Sequence, residues 1–549
     1  MTRPIPDLTR RSLLLGGAGL PTAGFLASCA ADDGAGGTAE GGTTAGGEPT
    51  TGGTLRFAIA NDPASVNPQG GGSGNDARYV TRQLVDSLLY QDPDTGDLHP
   101  WLATEWSVSE DSTEFTFTLR DDVTFSDGTP LTAQIVLDNF DDVLEQGANA
   151  NYAIEHLAGY LGGDATDEVT LTVRFDRPSI PFLQALTEPI FGPLAPATLA
   201  ASWDERTTGI IGTGAFTLGS YVKDTEVVLA RRDGYVWGPS LADNTGEAYL
   251  DEVVFQIIPE ASVRTGAISS DQVDVIGGVP PQDQETLTAS GFTIVERANP
   301  GVVFGLTPYT GRPIVSDLAV RTAFALSLVR TDLRDATLND SYKVATSVLA
   351  SSTPGWADLS DHIPEDTDEA ARLLDEAGWT LGADGIRVKD GEPLHLVIWW
   401  SDNFVANQSA LELLQAQVRT VGFDVELRTG DATERQAAVD AGELDFSYGN
   451  LSRADADILR TQFHIGENDV NKVPDPDLNG LLEQQSALTG AERDAVVDEA
   501  ITSILDNVYY VPTFELTSVL ALTTGVAGVA FAADSRLSGL SGAFLTTGA

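Results

Sequence analysis

The sequence is poor in the residue types that build disulfides and metal sites. Of its 549 residues, one is a cysteine, Cys29, and five are histidines. A single cysteine excludes an internal disulfide and any site that needs several thiolates. The histidines lie far apart and form no H-E-x-x-H motif, so the sequence predicts no metal site and no cofactor.

Basic residues are also scarce. Lysine and arginine together number 31 against 81 acidic residues, which gives a formal net charge of −50. Nucleic acid and anionic membrane surfaces repel such a chain, so neither is expected as a partner. The acidic excess favours solubility, and concentration of cationic ligands near a cleft is a second interpretation of it. Hydrophobic residues make up 42%, as in an ordinary folded chain.

Motifs of covalent catalysis are missing as well. The sequence contains no G-x-S-x-G elbow, no Walker-type phosphate loop and no Cys/His nucleophile arrangement. Pairs of carboxylates are too common among so many acidic residues to indicate catalysis. We therefore predict no catalytic residues and a protein that is not an enzyme.

The first 28 residues are typical of an export signal. Arg10 and Arg11 precede a weakly apolar stretch, residues 12–25, which glycines and a proline interrupt. That stretch is too short and too broken for a stable membrane span. It resembles twin-arginine signals, which direct export of a folded protein. The alternative is an ordinary N-terminal helix.

The residues that follow resemble the lipobox of bacterial lipoproteins. The sequence L-A-S-C at 26–29 places an aliphatic and two small residues before Cys29, the residue that would carry the lipid. The remainder of 29–51 lacks aliphatic residues larger than alanine and lacks aromatic residues, so it predicts a flexible linker. We expect a chain anchored by lipid to the outer face of the cell membrane, with its folded part beginning at Gly52.

The folded part mixes alternating strands with amphipathic helices. Residues 114–120 and 171–175 alternate apolar and polar side chains, as half-buried strands do. A helix is predicted over 368–377, with Asp366 and Glu369 as a capping box, and a second over 410–421. The uncharged run 517–533 contains threonines and glycines and predicts two strands joined by a turn. The interleaving indicates an α/β fold.

The order of motifs along the chain resembles the family 5 extracellular solute-binding proteins, which include oligopeptide-, dipeptide- and nickel-binding members. The resemblance covers nearly all of the chain after the linker. The matching segments are G-G-T-L-R-F at 52–57, D-P-A-S-V-N-P at 62–68, L-H-P-W-L-A-T-E-W at 98–106, F-S-D-G-T-P-L-T-A at 125–133, G-T-G-A-F at 212–216, Y-L-D-E-V at 249–253, V-D-V-I at 273–276, V-R-T-A-F-A-L-S at 320–327 and residues 370–379.

The resemblance implies a two-lobed, periplasmic-binding-protein-like fold around a ligand cleft. Residues 52–92, 209–296 and 512–549 would form lobe I, 93–208 an extra domain attached to it, and 297–511 lobe II. Such proteins close on a small ligand, a peptide in many relatives, and deliver it to an ABC permease and its ATPase. A monomer is expected.

The function has alternatives that the sequence leaves open. The same fold allows a ligand-sensing or adhesive lipoprotein without transport, and an extracellular hydrolase is a third class. The ligand could be a dipeptide, a longer peptide, an opine, a sugar or a metal chelate.

One segment departs from the family where relatives contact the ligand. Peptide-binding relatives carry a G-W-x-x-D segment whose carboxylate holds the peptide ammonium. Here the corresponding residues 448–455 read Y-G-N-L-S-R-A-D, with the carboxylate one position late. We predict as ligand-binding the polar and aromatic residues of this segment, which are Tyr448, Asn450, Ser452, Arg453 and Asp455. Arg453 suits a carboxylate or phosphate. Alternatively, Arg453 and Asp455 pair with each other or are solvated.

Across the cleft, the glycine-rich residues 70–76 fall where relatives offer backbone groups. Ser73, Gly74 and Asn75 are predicted to contact the ligand, and a flexible surface loop is the alternative. Trp399 and Trp400 lie on a predicted strand and must point to opposite faces. We predict that Trp400 faces the cleft.

Overall fold

The computed structural model describes residues 48–70, 74–465 and 473–546. The export signal, Cys29, most of the linker and Ser73 lie outside these ranges. Within them, no helix is both long enough and apolar enough to cross a membrane.

Short strands and helices alternate through the described chain. The strands are β1 (Thr54–Ile59), β2 (Leu89–Gln91), β3 (Leu98–Pro100), β4 (Ala103–Val108), β5 (Glu114–Leu119), β6 (Tyr160–Ala165), β7 (Thr170–Phe175), β8 (Phe216–Val222), β9 (Glu226–Arg231), β10 (Glu252–Ile257), β11 (Val275–Gly277), β12 (Thr293–Ala298), β13 (Gly301–Pro308), β14 (Thr380–Leu381), β15 (Arg387–Lys389), β16 (Glu392–Pro393), β17 (His395–Trp400), β18 (Asp424–Thr429), β19 (Phe446–Ser452), β20 (Val511–Phe514), β21 (Thr517–Leu522), β22 (Val526–Ala527) and β23 (Phe544–Leu545).

The helices are α1 (Asn75–Leu84), α2 (Ala133–Gln146), α3 (Asn151–Glu155), α4 (Phe182–Ala185), α5 (Pro196–Leu199), α6 (Trp203–Arg206), α7 (Ala261–Ser269), α8 (Pro281–Ala289), α9 (Leu318–Leu326), α10 (Arg330–Thr337), α11 (Thr367–Glu376), α12 (Asn407–Arg419), α13 (Ala432–Asp440), α14 (Ile458–Phe463), α15 (Pro476–Gln484) and α16 (Gly490–Asp506).

A seven-stranded mixed sheet organises the first lobe. Its strand order is β12-β21-β11-β1-β10-β9-β8, and β1 runs parallel to both β10 and β11. Leu55 and Phe57 of β1 belong to one core cluster, whereas Ala58 belongs to a second cluster. Because successive side chains of a strand point to opposite faces, both faces of this central strand are covered.

A five-stranded sheet organises the second lobe, in the order β18-β17-β19-β13-β20. The chain crosses between the two sheets twice, from β12 to β13 and from β20 to β21. The lobe boundaries predicted at 297 and 512 both fall inside strands, so the crossings lie slightly later, at 299–300 and 515–516. The family resemblance, from which these boundaries were predicted, does not give the strand ends, because strand pairing sets them.

A four-stranded antiparallel sheet, β4-β5-β7-β6, lies in the region 93–208. The strands predicted at 114–120 and 171–175 are confirmed as β5 and β7. Their apolar side chains pack with α2 and α4 in one core cluster. Tyr235 and Trp237, from outside this region, belong to the same cluster.

The predicted helices are also confirmed. α11 spans Thr367–Glu376, and the Asp366 carboxylate accepts a hydrogen bond from the Glu369 N–H at 2.9 Å. Gly378 follows with a φ of +88°, which glycine adopts without a Cβ clash. α12 begins three residues before the predicted start. The run 517–533 contains β21 and β22, as predicted.

The lobes are closed on each other. The Asn339 side-chain amide of the second lobe donates to Gln284 Oε1 at 2.7 Å and to the Pro281 carbonyl at 3.1 Å. The Gln91 amide donates to the Ala454 carbonyl at 2.9 Å. The Ile180 N–H donates to the Ser486 carbonyl, also at 2.9 Å, which joins the region 93–208 to the second lobe.

Candidate functional site: a charge cluster between the lobes

Charged side chains from all three parts of the chain meet where the lobes close. They come from α1, from the end of α3, from the turn after α4, from the loop after β19 and from the C-terminal segment. We call the following six residues the interlobe charge cluster: Arg78, His156, Glu188, Arg453, Asp534 and Arg536.

Arg78 is almost fully buried and projects from α1. Its side chain is 3% exposed. Nη1 donates to Glu188 Oε2 at 2.6 Å, and Asp534 lies 3.8 Å from the same nitrogen. The guanidinium stacks 4.5 Å from the centre of the Tyr152 ring. Its Nε and Nη2 have no hydrogen-bond partner in the described structure. One edge of a buried guanidinium is therefore unused.

Arg453 reaches the cluster from the second lobe, directly after β19. Its Nη1 donates to Thr461 Oγ1 at 3.1 Å and lies 3.6 Å from an Asp457 oxygen. Its Nη2 lies 4.0 Å from Glu155 of α3, across the lobe boundary. Nε of this buried side chain has no partner among the residues described.

His156 is close enough to both arginines to feel their charges. Burial, together with the positive charges of Arg453 and Arg78, lowers its pKa well below the ordinary value. The imidazole is therefore neutral near pH 7. Its Nε2 is buried and has no hydrogen-bond partner in the described structure. Its ring contacts the Tyr152 ring edge-on at 5.6 Å.

Asp455 does not pair with Arg453, so that interpretation of the segment was wrong. It forms two contacts with Arg493 of α16, at 2.5 and 2.8 Å. Burial alone would raise the pKa of Asp455, but Arg493 and the Asp457 N–H outweigh it and hold that pKa below its usual range. Neither Arg453 nor Asp455 is solvated, since both are buried. Asp455 instead forms an ion pair within the second lobe.

The other predicted site residues on β19 and β17 are placed as follows. Tyr448 is buried against Phe304, with ring centres 5.4 Å apart, and its hydroxyl has no partner in the described part of the chain. Trp400 is buried in the same core cluster. Asn450 and Ser452 are partly exposed on β19. Their ligand contacts stay predictions.

Gly74 and Asn75 stand at the start of α1. Gly74 is exposed and precedes the helix in an extended conformation. The Asn75 amide lies 3.5 Å from Ser518 Oγ, which itself donates to Asn299 in the first crossing. Asn75 thus lies beside the crossing segment, on the same short helix as Arg78. Its contact with a ligand remains a prediction.

Sequence reasoning missed most of the charge cluster. Arg78, His156, Glu188 and Arg536 lie in segments more than thirty residues apart, and only folding brings them together. One signal was available at Arg78, which follows Ala77 and precedes Val80 and Leu84 on the apolar face of α1. An arginine there, in a chain with few basic residues, indicates a buried charge.

Two cavities adjoin this region. One of about 220 Å³ lies between the first lobe and the region 93–208 and is bounded by Arg82, Trp101, Glu188, Phe531 and Asp534. The other, of about 420 Å³, separates the region 93–208 from the second lobe and touches both Asp455 and Arg493. Within the described ranges, no group of three or more His, Cys, Asp or Glu side chains could hold a metal ion.

Two α/β lobes, joined by two crossings and closed over buried charges, define a solute-binding protein of the periplasmic type. Comparison with known proteins agrees. The model of bacterial extracellular solute-binding proteins, family 5 (middle), matches residues 97–461. The chain belongs to this family.

Individual relatives have different ligands in their names. The chain is 29% identical to the nickel-binding periplasmic protein of Escherichia coli over 405 residues, which cover 71% of this chain and 73% of that protein. It is 25% identical to the probable D,D-dipeptide-binding protein DdpA of the same organism over 490 residues, 86% and 90% of the two chains. The crystal structure of NikA from Brucella suis with Fe(III)-EDTA has a TM-score of 0.78 at 25% identity, covering 90% of this chain and all of that one.

Proposed function

We propose that the chain captures a small organic solute outside the cell and delivers it to an ABC importer. The observation that carries this proposal is the charge cluster, to which both lobes contribute and which closure buries. A solute bound there would contact Arg78 of one lobe and Arg453 of the other, and so would stabilise the closed state. No covalent step is needed, and the protein acts as a monomer without enzymatic activity.

We propose three functional parts, and the separate sheets support this division. The first lobe comprises 52–92, 209–298 and 517–546, the second lobe 301–514, and the extra domain 93–208. The extra domain contributes Glu155 and Ile180 to the closed interface, so it takes part in closure. A nickel-type ligand would have to enter as a chelate, because the described residues offer no set of metal ligands.

Ligand-dependent closure is the test of this proposal. Small-angle X-ray scattering compares two samples, one purified directly from the host and one stripped of ligand by unfolding and refolding. Native mass spectrometry of the same samples detects bound solute. We expect a co-purifying mass and a smaller radius of gyration in the loaded sample. Identical radii with no bound solute in either sample would contradict the proposal.

We further propose that a lipid on Cys29 anchors the protein after twin-arginine export. The support is the L-A-S-C match directly after the Arg10-Arg11 signal. Cys29→Ser should release the mature protein into the medium, because residues 30–51 contain nothing that binds lipid. Fractionation of cells expressing each form measures this. Equal membrane retention of the Ser variant would contradict the anchor.

A further inference from the structure

We infer that the solute carries a carboxylate, which binds the free edge of Arg78 in the closed cleft. This inference rests on the proposed function and specifies its ligand. It assigns the main polar contact to α1 of the first lobe, and not to the carboxylate of the 448–455 segment.

The geometry of Arg78 carries the inference. Nε and one terminal nitrogen form the edge of a guanidinium that binds a carboxylate through two parallel hydrogen bonds. This chain uses that edge elsewhere: Nε and Nη2 of Arg56 both contact Asp274, and those of Arg120 both contact Asp122. In Arg78 the same two nitrogens are buried and without a partner in the described structure. A protein rarely leaves two charged donors buried and unused.

The neighbouring unused atoms are also mainly donors. Nε of Arg453 and Nε of Arg536 are buried without partners in the described chain, whereas Oε1 of Glu188 is the one such oxygen in the cluster. An excess of unpaired donors requires a ligand rich in acceptors. A carboxylate offers two acceptor oxygens and no donor, which matches this excess.

The charges agree with the unpaired atoms. The carboxylates of Glu188 and Asp534 lie beside Nη1 of Arg78, and those of Asp457 and Glu155 lie beside Arg453. Within the described structure, none of them bonds to Nε or Nη2 of Arg78. This free edge occurs in a chain whose formal net charge is −50. An anionic group on the ligand would pair with the free edge of Arg78, whereas a cationic group would be placed against a buried guanidinium.

The ammonium-binding alternative has one free carboxylate oxygen in the cluster, Oε1 of Glu188, against four guanidinium nitrogens without partners in the described structure. Asp455, the residue nearest in sequence to the family's ammonium-binding position, is bound by both terminal nitrogens of Arg493. Glu188 and Asp534 both lie against Arg78. A peptide would therefore be held through its carboxylate, and its amino terminus would be dispensable.

Matched probes test this inference on the full mature chain. Trialanine, its C-terminal amide and its N-acetyl derivative differ only in their terminal charges, and citrate supplies carboxylates without a peptide. Each probe is titrated by calorimetry and scored for closure by small-angle scattering, and any co-purifying solute is identified by mass. We expect the bound probes, and the co-purifying solute, to carry a carboxylate. Amidation should weaken binding at least tenfold, and acetylation should change it less than threefold.

Variants of Arg78 locate the contact. Arg78→Lys keeps the positive charge beside Glu188 but removes the two-nitrogen edge, so we expect affinity for the carboxylate probe to fall ten- to a hundredfold while the fold is retained. Arg78→Gln should lose at least as much. Arg372→Gln is the matched control, because Arg372 is an exposed arginine paired with Glu369 and Glu376 on α11. It should bind like the unmodified protein.

The outcomes separate the two proposals. Equal affinity for acid and amide, a neutral or cationic co-purifying solute, or full affinity in folded Arg78→Lys would overturn the carboxylate assignment alone. Absence of both a co-purifying solute and any probe-induced closure would overturn the assignment together with the proposed function.

Discussion

At the scale of single residues, Asp86 is a buried carboxylate held by neutral donors. It accepts hydrogen bonds from the Tyr235 hydroxyl at 3.0 Å and from Trp237 Nε1 at 2.9 Å. Burial raises its pKa to about 6, although Trp237, Tyr235 and Arg82 act in the opposite direction. Its ionised form is therefore less favourable in the folded chain than in the unfolded chain.

This environment predicts a pH-dependent contribution to stability. Between the unfolded pKa of 3.8 and the folded value of about 6, the folded state binds more protons, so stability falls as pH rises through that window. The full penalty above it is about 3 kcal/mol. Asp86→Asn removes this titration, so its melting temperature should change less than that of the unmodified protein between pH 4 and 7. Differential scanning calorimetry measures both.

A matched control is Asp138→Asn on the exposed face of α2. The melting temperature of this variant should change with pH as that of the unmodified protein does, over the same range. If the melting temperatures of Asp86→Asn and the unmodified protein changed equally with pH, the raised pKa of Asp86 would be disproved.

At the scale of elements, the four-residue helix α4 is held by aromatic packing. Phe182 is fully buried, and its ring lies 4.9 Å from that of Phe175, 5.5 Å from that of Phe115 and 5.8 Å from that of Phe140. A helix this short has little stability of its own. Its position therefore depends on this core, and so does the Ile180 contact to the second lobe.

Phe182→Ala should destabilise the region 93–208 selectively. Truncating a buried phenylalanine costs about 3–5 kcal/mol, because it removes apolar contacts and leaves a cavity. Hydrogen exchange by mass spectrometry should show faster exchange in β5 and β7 and unchanged exchange in β13. Leu161→Ala is the control, since Leu161 is 68% exposed. Uniformly faster exchange throughout the chain would show that the region is not a separate stability unit.

At the scale of the whole molecule, closure depends on a few polar contacts between lobes. Asn339 makes two hydrogen bonds to the first lobe and Ser341 Oγ adds a third, at 3.2 Å to Gln284. Each such bond contributes about 1 kcal/mol. The balance between open and closed states should therefore respond to single substitutions at this contact.

Asn339→Ala should shift the protein towards the open state. Without added ligand, we expect a larger radius of gyration by small-angle X-ray scattering. Ligand affinity should fall by up to about thirtyfold, because two bonds of about 1 kcal/mol each are lost and binding must first restore the closed population. Gln408→Ala, on the exposed face of α12, should change neither quantity. An Asn339→Ala protein with the original radius and affinity would show that this contact does not stabilise closure.

The sequence by itself determined the local elements and the scaffold. The alternating side chains at 114–120 and 171–175 predicted two strands. The cap at Asp366 and the glycine at 378 predicted where α11 begins and ends. These features depend on neighbours within a few residues, so one sequence contains them. The ordered motifs from 52 to 379 likewise identified the family.

Only the tertiary structure decided which charges meet. Arg78, His156, Arg453 and Arg536 come from four distant segments, and no local pattern relates them. The partner of Asp455 is Arg493, thirty-eight positions later, although Arg453 is two positions away. Helix α16 brings Arg493 directly against the loop, and both terminal nitrogens of Arg493 contact the Asp455 carboxylate. Which charged side chains line the proposed binding site therefore depends on long-range packing and on how the lobes close.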